Sequence, residues 1–333
     1  MKRVFLAACL LLAPACARAQ TDPEETCAGV DLVERMRSAD PGAFAAYEKD
    51  IARIPNLDGL LWRVEKPGTP PSYLFGTMHV DDRDALMLAR STKELVRGSR
   101  IVLTELGDVD ETTQRQAAGA VIAKAARRDG GALAVVVDPQ DLAEVKRLLV
   151  VQKLNVEAAD HIAPWVTIMM LALPACERAR IGPGMKTVDS TVIEIAHAAN
   201  VPVAPIESME EQLKLLSTMD EKLVARDLVS TARHPALIED GFATVLRLYK
   251  EKRVGAMLAV LHRAARLTKQ ENEDNEAMMK AFAGSRNRVI AARVKPEIEK
   301  GGAFVAVGAA HLSGSDGLVA LVREAGYTAT KEW

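Results

Sequence analysis

Two rhythms of apolar positions alternate along this chain and predict two kinds of element. At helical spacing, Leu32, Val33 and Met36, then Phe44, Tyr47 and Ile51, predict helix over 26–54. Short apolar runs predict strands at Leu60–Val64 and Ser72–Phe75, joined by the hairpin loop Lys66-Pro-Gly-Thr-Pro-Pro71. A helix over Ala85–Arg97 follows, then a strand over Ile101–Thr104 that runs into Glu105. The alternation returns with helix Val188–Ala199 and strand Val201–Ile206, which ends at Glu207. It closes with strand Ala303–Val307, helix Leu318–Ala325 and strand Tyr327–Thr330. Strands separated by helices predict an α/β fold with a largely parallel or mixed central sheet flanked by helices.

The segments 138–180 and 209–298 read as mostly helical. Asp138-Pro139 has the form of an N-cap followed by proline at the first helical position. The polar run Lys269–Glu276 reads as a solvated helix face or loop, and Gly182-Pro-Gly184 as a turn. The chain is long enough for two domains. Matching patterns near both ends predict instead one α/β domain over 20–333, with a helical insertion or cap at about 209–298.

Those matching patterns are Tyr73-Leu-Phe-Gly76-Thr-Met-His79 and Phe304-Val-Ala-Val-Gly308-Ala-Ala-His311. In each, a β-rich run meets a glycine and, three residues on, a histidine. Gly76 and Gly308 would let the backbone turn tightly or approach a ligand closely. Neutral imidazole is a common metal ligand and acid/base group, and open α/β sheets place their chemistry at strand carboxyl ends. Four polar residues, His79, Glu105, Glu207 and His311, fall at such ends and are expected to line one cleft. Two imidazoles with one or two carboxylates suit Zn²⁺, Mn²⁺, Co²⁺ or Fe²⁺, and a second Glu would serve as general base to a metal-activated water. Arg286, at a helix start with Asn287, would anchor a substrate carboxylate or hold a ligating Glu. His161, His197, His234 and His262 show no such context and read as structural.

Composition changes little in this picture. The chain is 49% hydrophobic with a net charge of -2, which gives no general attraction to nucleic acid. Sequences of the GxSxG, HExxH, Walker-loop and CxxC types are missing, which removes the common serine hydrolases, zincins and P-loop enzymes. Met1-Lys-Arg3, the apolar Val4–Ala13 and Ala17-Arg-Ala19 form a signal-peptide pattern over 1–19. The mature chain is therefore expected in the periplasm or outside the cell, with no transmembrane segment; a lipoprotein attached through Cys16 is the alternative. Of four cysteines, Cys27 and Cys176 remain after export, and an oxidising compartment favours a disulfide between them over two free thiols.

The chain resembles the TraB/GumN family, which includes the animal Tiki proteins, over roughly residues 57–333. The resemblance rests on Tyr73–Val80, Leu103-Thr-Glu-Leu106, Pro164-Trp165 and Asp189 within Lys186–Ser190. It continues through Pro205-Ile-Glu-Ser208, Glu211-Gln-Leu213, Arg286-Asn287, Val307–Gly314 and Gly326-Tyr327. It implies a fold similar to the erythromycin-esterase and ChaN-like group. It also implies a metal site at His79, His311 and Glu105, with Glu207 and Arg286 in support, and Mn²⁺ or Co²⁺ as the favoured metal over Zn²⁺ or Fe²⁺. Glu105 then reads as ligand and Glu207 as base or support. The chain departs from the family where a Trp-x-x-Gly-Asp stretch appears only as Tyr249 through Gly255-Ala256, and in lacking the C-terminal membrane segment of animal members. The expected function is a periplasmic metal-dependent hydrolase, a peptidase, acting on a peptide or small molecule. The alternatives are a non-catalytic protein of the same fold that binds a peptide signal, haem or metal, and a structural partner in envelope export.

Overall fold

The chain forms one six-stranded sheet: β1 (Leu61–Glu65), β2 (Ser72–Thr77), β3 (Ile101–Thr104), β4 (Val203–Pro205), β5 (Ala303–Gly308) and β6 (Thr328–Lys331), in the order β4-β3-β5-β2-β1-β6. The structure is a computed structural model and describes residues 27–108, 111–127, 130–181, 185–264, 267–281 and 285–333. The signal-peptide pattern and the turn at 182–184 lie outside the described residues. Every residue of β5 is buried, as a strand covered by helices on both faces requires. β5 pairs in parallel with β2 on one side and β3 on the other, and β4 pairs in parallel with β3. Four neighbouring strands therefore present their carboxyl ends along one edge. β1 returns antiparallel to β2 through the hairpin, and β6 is antiparallel to β1. The sheet is mixed, parallel at its centre.

Element boundaries depart from the sequence pattern at a few places, each with a local cause. Helix over 26–54 is two helices, Leu32–Ala39 and Pro41–Ile51. Asp40 caps the second through its carboxylate, and Pro41 supplies no N–H to continue the first. The helix expected over 85–97 divides at Thr92, which ends Arg83–Ser91 and begins Lys93–Arg97. β2 runs on through Gly76 to Thr77, because Gly76 pairs with Val307 and Thr77 with Gly308. β4 is short and lies at the sheet edge; Pro202 and Pro205 have no N–H to extend its ladder. Asp138 stands at the N-cap of Pro139–Val151 but makes no capping hydrogen bond with its side chain.

Apolar residues divide into two cores. One packs on the sheet and includes Phe75, Phe304 and Val305, with Ile290, Val294 and Ile298 from helix Ser285–Lys300. The second lies among helices and includes Leu133, Leu149, Trp165, Met169, Leu213, Leu228 and Met278. The helical layer thus draws on residues 121–171 as well as 213–238. The expected insertion at 209–298 is only part of it: Leu237, Tyr249 and Leu261 from that stretch pack with the sheet. Among the described residues, no helix is long and apolar enough to cross a membrane.

Cys27 and Cys176 are disulfide-bonded, with their Cα atoms 5.6 Å apart. The bond joins the N-terminal segment to helix Ala175–Arg180. That segment is also tied to helix Leu237–Lys250: Val30 N–H donates to Asp240 Oδ1 at 2.8 Å, and Leu32 N–H to Thr244 Oγ1 at 2.8 Å. Arg35 pairs with Asp240, and Arg247 with Asp31.

Candidate functional site

The shared edge of the four parallel strands gathers the polar residues that follow them. Glu105 stands after β3, Glu207 two residues after β4, His311 in a 3-10 turn after β5, and His79 two residues after β2. All four are buried or nearly so, with His311 fully inaccessible. Parallel pairing supplies this convergence, since it alone aligns strand ends from distant parts of the chain.

Glu105 is the centre of the group. Its Oε1 accepts the Gly308 N–H at 2.8 Å and lies 3.8 Å from His311 Nε2. Its Oε2 accepts from Arg286 Nη2 at 2.8 Å. Arg286 also pairs with Glu207, donating through Nε at 3.1 Å and through Nη2 at closer range. Gln212 Nε2 stands 3.4 Å from both carboxylates. Helix Met209–Ser217 presents Gln212 because Ser208 and Glu211 close a capping box at its start. Burial opposes ionisation of Glu105, but Arg286, then the two histidines and the Gly308 N–H, outweigh it and hold the carboxyl at about 2. Burial works against Arg286 too, yet the two glutamates push its pKa above the usual arginine value.

Both imidazoles meet an oxygen through Nδ1. His311 Nδ1 is 2.5 Å from Asn287 Oδ1, while Asn287 Nδ2 donates to the Asp316 carbonyl at 2.9 Å. With its amide nitrogen so engaged, Asn287 offers only an acceptor, so His311 carries its proton on Nδ1 and a lone pair on Nε2. That Nε2 is buried with no hydrogen-bond partner. Burial depresses the His311 pKa below its ordinary value, which favours the same neutral form. His79 Nδ1 lies 2.7 Å from Asp189 Oδ2. The contact is off the line of a hydrogen bond, and Asp189 Oδ2 is otherwise unpartnered. Burial again opposes charge on His79, but Asp189 outweighs it and raises the imidazole pKa. Asp189 sits in the first turn of helix Val188–Ala198, fixed by the capping box of Thr187 and Ser190.

The two glycines serve differently: Gly76 by packing, Gly308 by its backbone N–H. Gly76 has no room for a side chain: a Cβ would lie 2.9 Å from the Leu312 and Leu60 methyls and 3.0 Å from Ala309 Cα. Its carbonyl accepts the Tyr249 hydroxyl at 3.0 Å. Gly308 has φ -49, which any residue adopts, and serves through its N–H on Glu105. Neither makes the tight turn that its residue type allows. Tyr249, from the stretch that departs from the family pattern, is fully buried beneath β2, and burial raises its pKa well above the ordinary value.

A model of the TraB/PrgY/gumN family matches residues 60–331. The chain belongs to the TraB/PrgY/gumN family. No curated protein and no solved structure matches it. The match spans β1 to β6 and all the strand-end residues above.

The donors fit a divalent cation by their chemistry. An unpartnered buried Nε2 with its lone pair fixed by Asn287, a second imidazole oriented by a carboxylate, and an ionised Glu105 are what such a centre needs. Among the described residues, no three His, Cys, Asp or Glu side chains are gathered closely enough to hold a metal as they stand. Of the three expected ligands, His311 and Glu105 approach each other, Nε2 to Oε1, at 3.8 Å. Of the remaining histidines, His197 pairs with Asp108 and His234 with Glu271, and His161 Nδ1 faces the Arg127 carbonyl.

Asp189, Gln212 and Asn287 join the site without having been assigned roles in it by residue pattern alone. Asp189 and Gln212 each occupy a first helical turn, where a polar residue ordinarily reads as part of a cap. Asn287 does stand next to Arg286 in the sequence, and adjacency on one helix start is the signal that pointed to it.

Proposed function

We propose that this chain is a metal-dependent hydrolase, a peptidase, that acts in the periplasm or outside the cell. The observation that carries the reading is His311 Nε2, buried and unpartnered, with Glu105 Oε1 3.8 Å away. His311, Glu105 and His79 would hold the cation, Mn²⁺ or Co²⁺ before Zn²⁺ or Fe²⁺. Such a cation, when bound, lowers the pKa of a water to a range usable at neutral pH. Asn287 fixes the His311 tautomer, and Asp189, 2.7 Å from His79 Nδ1, favours a proton on that nitrogen, which leaves Nε2 for the cation. Arg286 pairs with both Glu105 and Glu207 and holds Glu105 ionised in a buried setting. Glu207 acts as the base or as the support of Arg286. The Cys27–Cys176 bond supports an oxidising compartment.

One observation favours a second reading, a non-catalytic binding protein. Arg286 occupies both carboxylates, so neither is free as a base while that pairing holds.

The test pairs metal content with cleavage of a peptide library, for wild type, His79→Ala, His311→Ala and Glu207→Gln. The hydrolase reading expects cleavage that a chelator abolishes, loss of metal in both histidine variants, and retained metal with turnover slowed by about 10²–10⁴-fold in Glu207→Gln if it is the base. Full cleavage in chelator would overturn it. Bound metal with no cleavage of any library member would favour the binding protein.

A further inference from the structure

Helix Ser285–Lys300 reaches the Glu207 segment twice. Arg286, at its start, pairs with the Glu207 carboxylate. Arg293 follows seven residues on, two turns along the same face, and takes the chain on either side of that carboxylate. Its Nη1 donates to the Ile206 carbonyl at 3.0 Å and to Glu211 Oε2 at 2.9 Å, and its Nη2 donates to Glu211 Oε1 at 2.6 Å. Glu211 passes the hold on. Its Oε2 accepts the Ser208 N–H at 2.8 Å, the bond that closes the capping box of helix Met209–Ser217. One guanidinium thus holds the residue before Glu207 directly and the residue after it through Glu211.

The segment depends on such a hold because of where it lies. β4 is three residues long and stands at the sheet edge, so among the described residues no strand pairs with its outer side. On its inner side, Ile206 N–H donates to the Thr104 carbonyl and Glu207 N–H to the Glu105 carbonyl, both at 2.8 Å. An exposed ion pair contributes little by itself, and the Arg293 side chain is 38% exposed. The contact here is of another kind. The planar fork engages both oxygens of one carboxylate and a backbone carbonyl together, which a point charge cannot do. Gln212, next to Glu211, rides on the same helical turn and stands 3.4 Å from both site carboxylates. A shift of this segment would move Glu207 and Gln212 together against Arg286.

We propose that Arg293 is a positioning residue for Glu207 and Gln212: it clamps the Ile206 carbonyl and the Glu211 cap to helix Ser285–Lys300 and so keeps Glu207 in register with Arg286. The inference deepens the reading of Glu207 as base or support and rests on it. Its test requires neither metal nor turnover, so failure of the hydrolase reading and failure of the clamp are separate results.

Solvent exchange of the Arg286 Nε–H, read by NMR on the metal-free protein, reports the Arg286–Glu207 pair directly, because that proton is donated to Glu207. The Ser208 amide reports the cap, and the amides of β5 serve as control. Arg293→Met keeps an apolar stem and removes the donors. It should speed exchange of the Arg286 Nε–H and the Ser208 N–H by about ten-fold, the size expected for one lost hydrogen bond to a charged group, with β5 unchanged. Arg293→Lys keeps the charge without the fork and should accelerate both protons as well. Unchanged exchange of the Arg286 Nε–H in Arg293→Met would overturn the positioning role, even with the Ser208 amide accelerated. Wild-type exchange in Arg293→Lys would overturn the clamp in favour of charge alone, and this arm holds even if the methionine variant does not fold. Acceleration spread evenly over β5 and the segment would overturn the local role in favour of general destabilisation.

Discussion

Asn287 Oδ1 meets His311 Nδ1 at 2.5 Å, and Asn287 has no second hydrogen-bonding face to offer, because its amide nitrogen is given to the Asp316 carbonyl. This one residue therefore sets which His311 nitrogen carries the proton. Partners of this kind orient ligands and tune their basicity, and losing one typically costs about 10–100-fold in metal affinity. Asn287→Ala is expected to weaken Mn²⁺ or Co²⁺ binding by that factor, read by competition with a chromophoric chelator. Equal affinity in variant and wild type would mean that His311 is not a ligand.

Arg286 is the only cation that the described contacts place between Glu105 and Glu207. Removing it leaves two buried carboxylates facing each other. Breaking a buried ion pair in this way typically costs about 3–5 kcal/mol. Arg286→Gln should lower stability to urea by that amount, and adding Glu207→Gln should recover part of it, since the two sites share one network. Additive losses in the double variant would show that the two residues do not act together.

Glu105 makes stability depend on acidity in a defined direction. Its folded pKa, about 2, lies below its ordinary value of 4.5. The stabilisation is therefore complete above the ordinary value and is lost as pH falls toward about 2. In chelator, the gap in melting temperature between wild type and Glu105→Gln should narrow steadily through that window. A gap that stays constant on acidification would show that the carboxylate is not held ionised by its neighbours.

Gly76 has a packing role that a methyl group would expose. Gly76→Ala places a Cβ 2.9 Å from the side chains of Leu60 and Leu312. Overpacking of this kind costs about 1–3 kcal/mol. Tyr249→Phe, which leaves the Gly76 carbonyl buried without its partner, should cost about 1–3 kcal/mol for the unsatisfied group. Thermal or urea unfolding measures both, and a neutral Gly76→Ala would show that Leu60 and Leu312 can move aside.

Much of the framework was legible because apolar runs end at polar residues. Ile101–Thr104 stops at Glu105, and Ala303–Gly308 leads to His311; once strands are known to be parallel, their ends must meet. Arg286 was marked for holding a glutamate, and it lies on two. What sequence spacing could not convey were contacts between elements far apart in the chain. Asp189 reads as an ordinary residue of a first helical turn, and its approach to His79 depends on how helix Val188–Ala198 packs. Glu177 reads as a surface residue of the short helix Ala175–Arg180, yet it is buried. The split of the helical layer between two stretches was hidden for the same reason, since Leu133 and Leu228 share a core without sharing a periodic pattern.

The pairing of β2 with β5 has a consequence in time. The two histidines descend from strands that become neighbours only when the last part of the chain folds back beside the first. Contacts of such long range are made late and slowly. A chain still emerging from a ribosome holds His79 without His311 and has no site. Whatever chemistry this edge performs is therefore withheld until almost the whole polypeptide is available to fold.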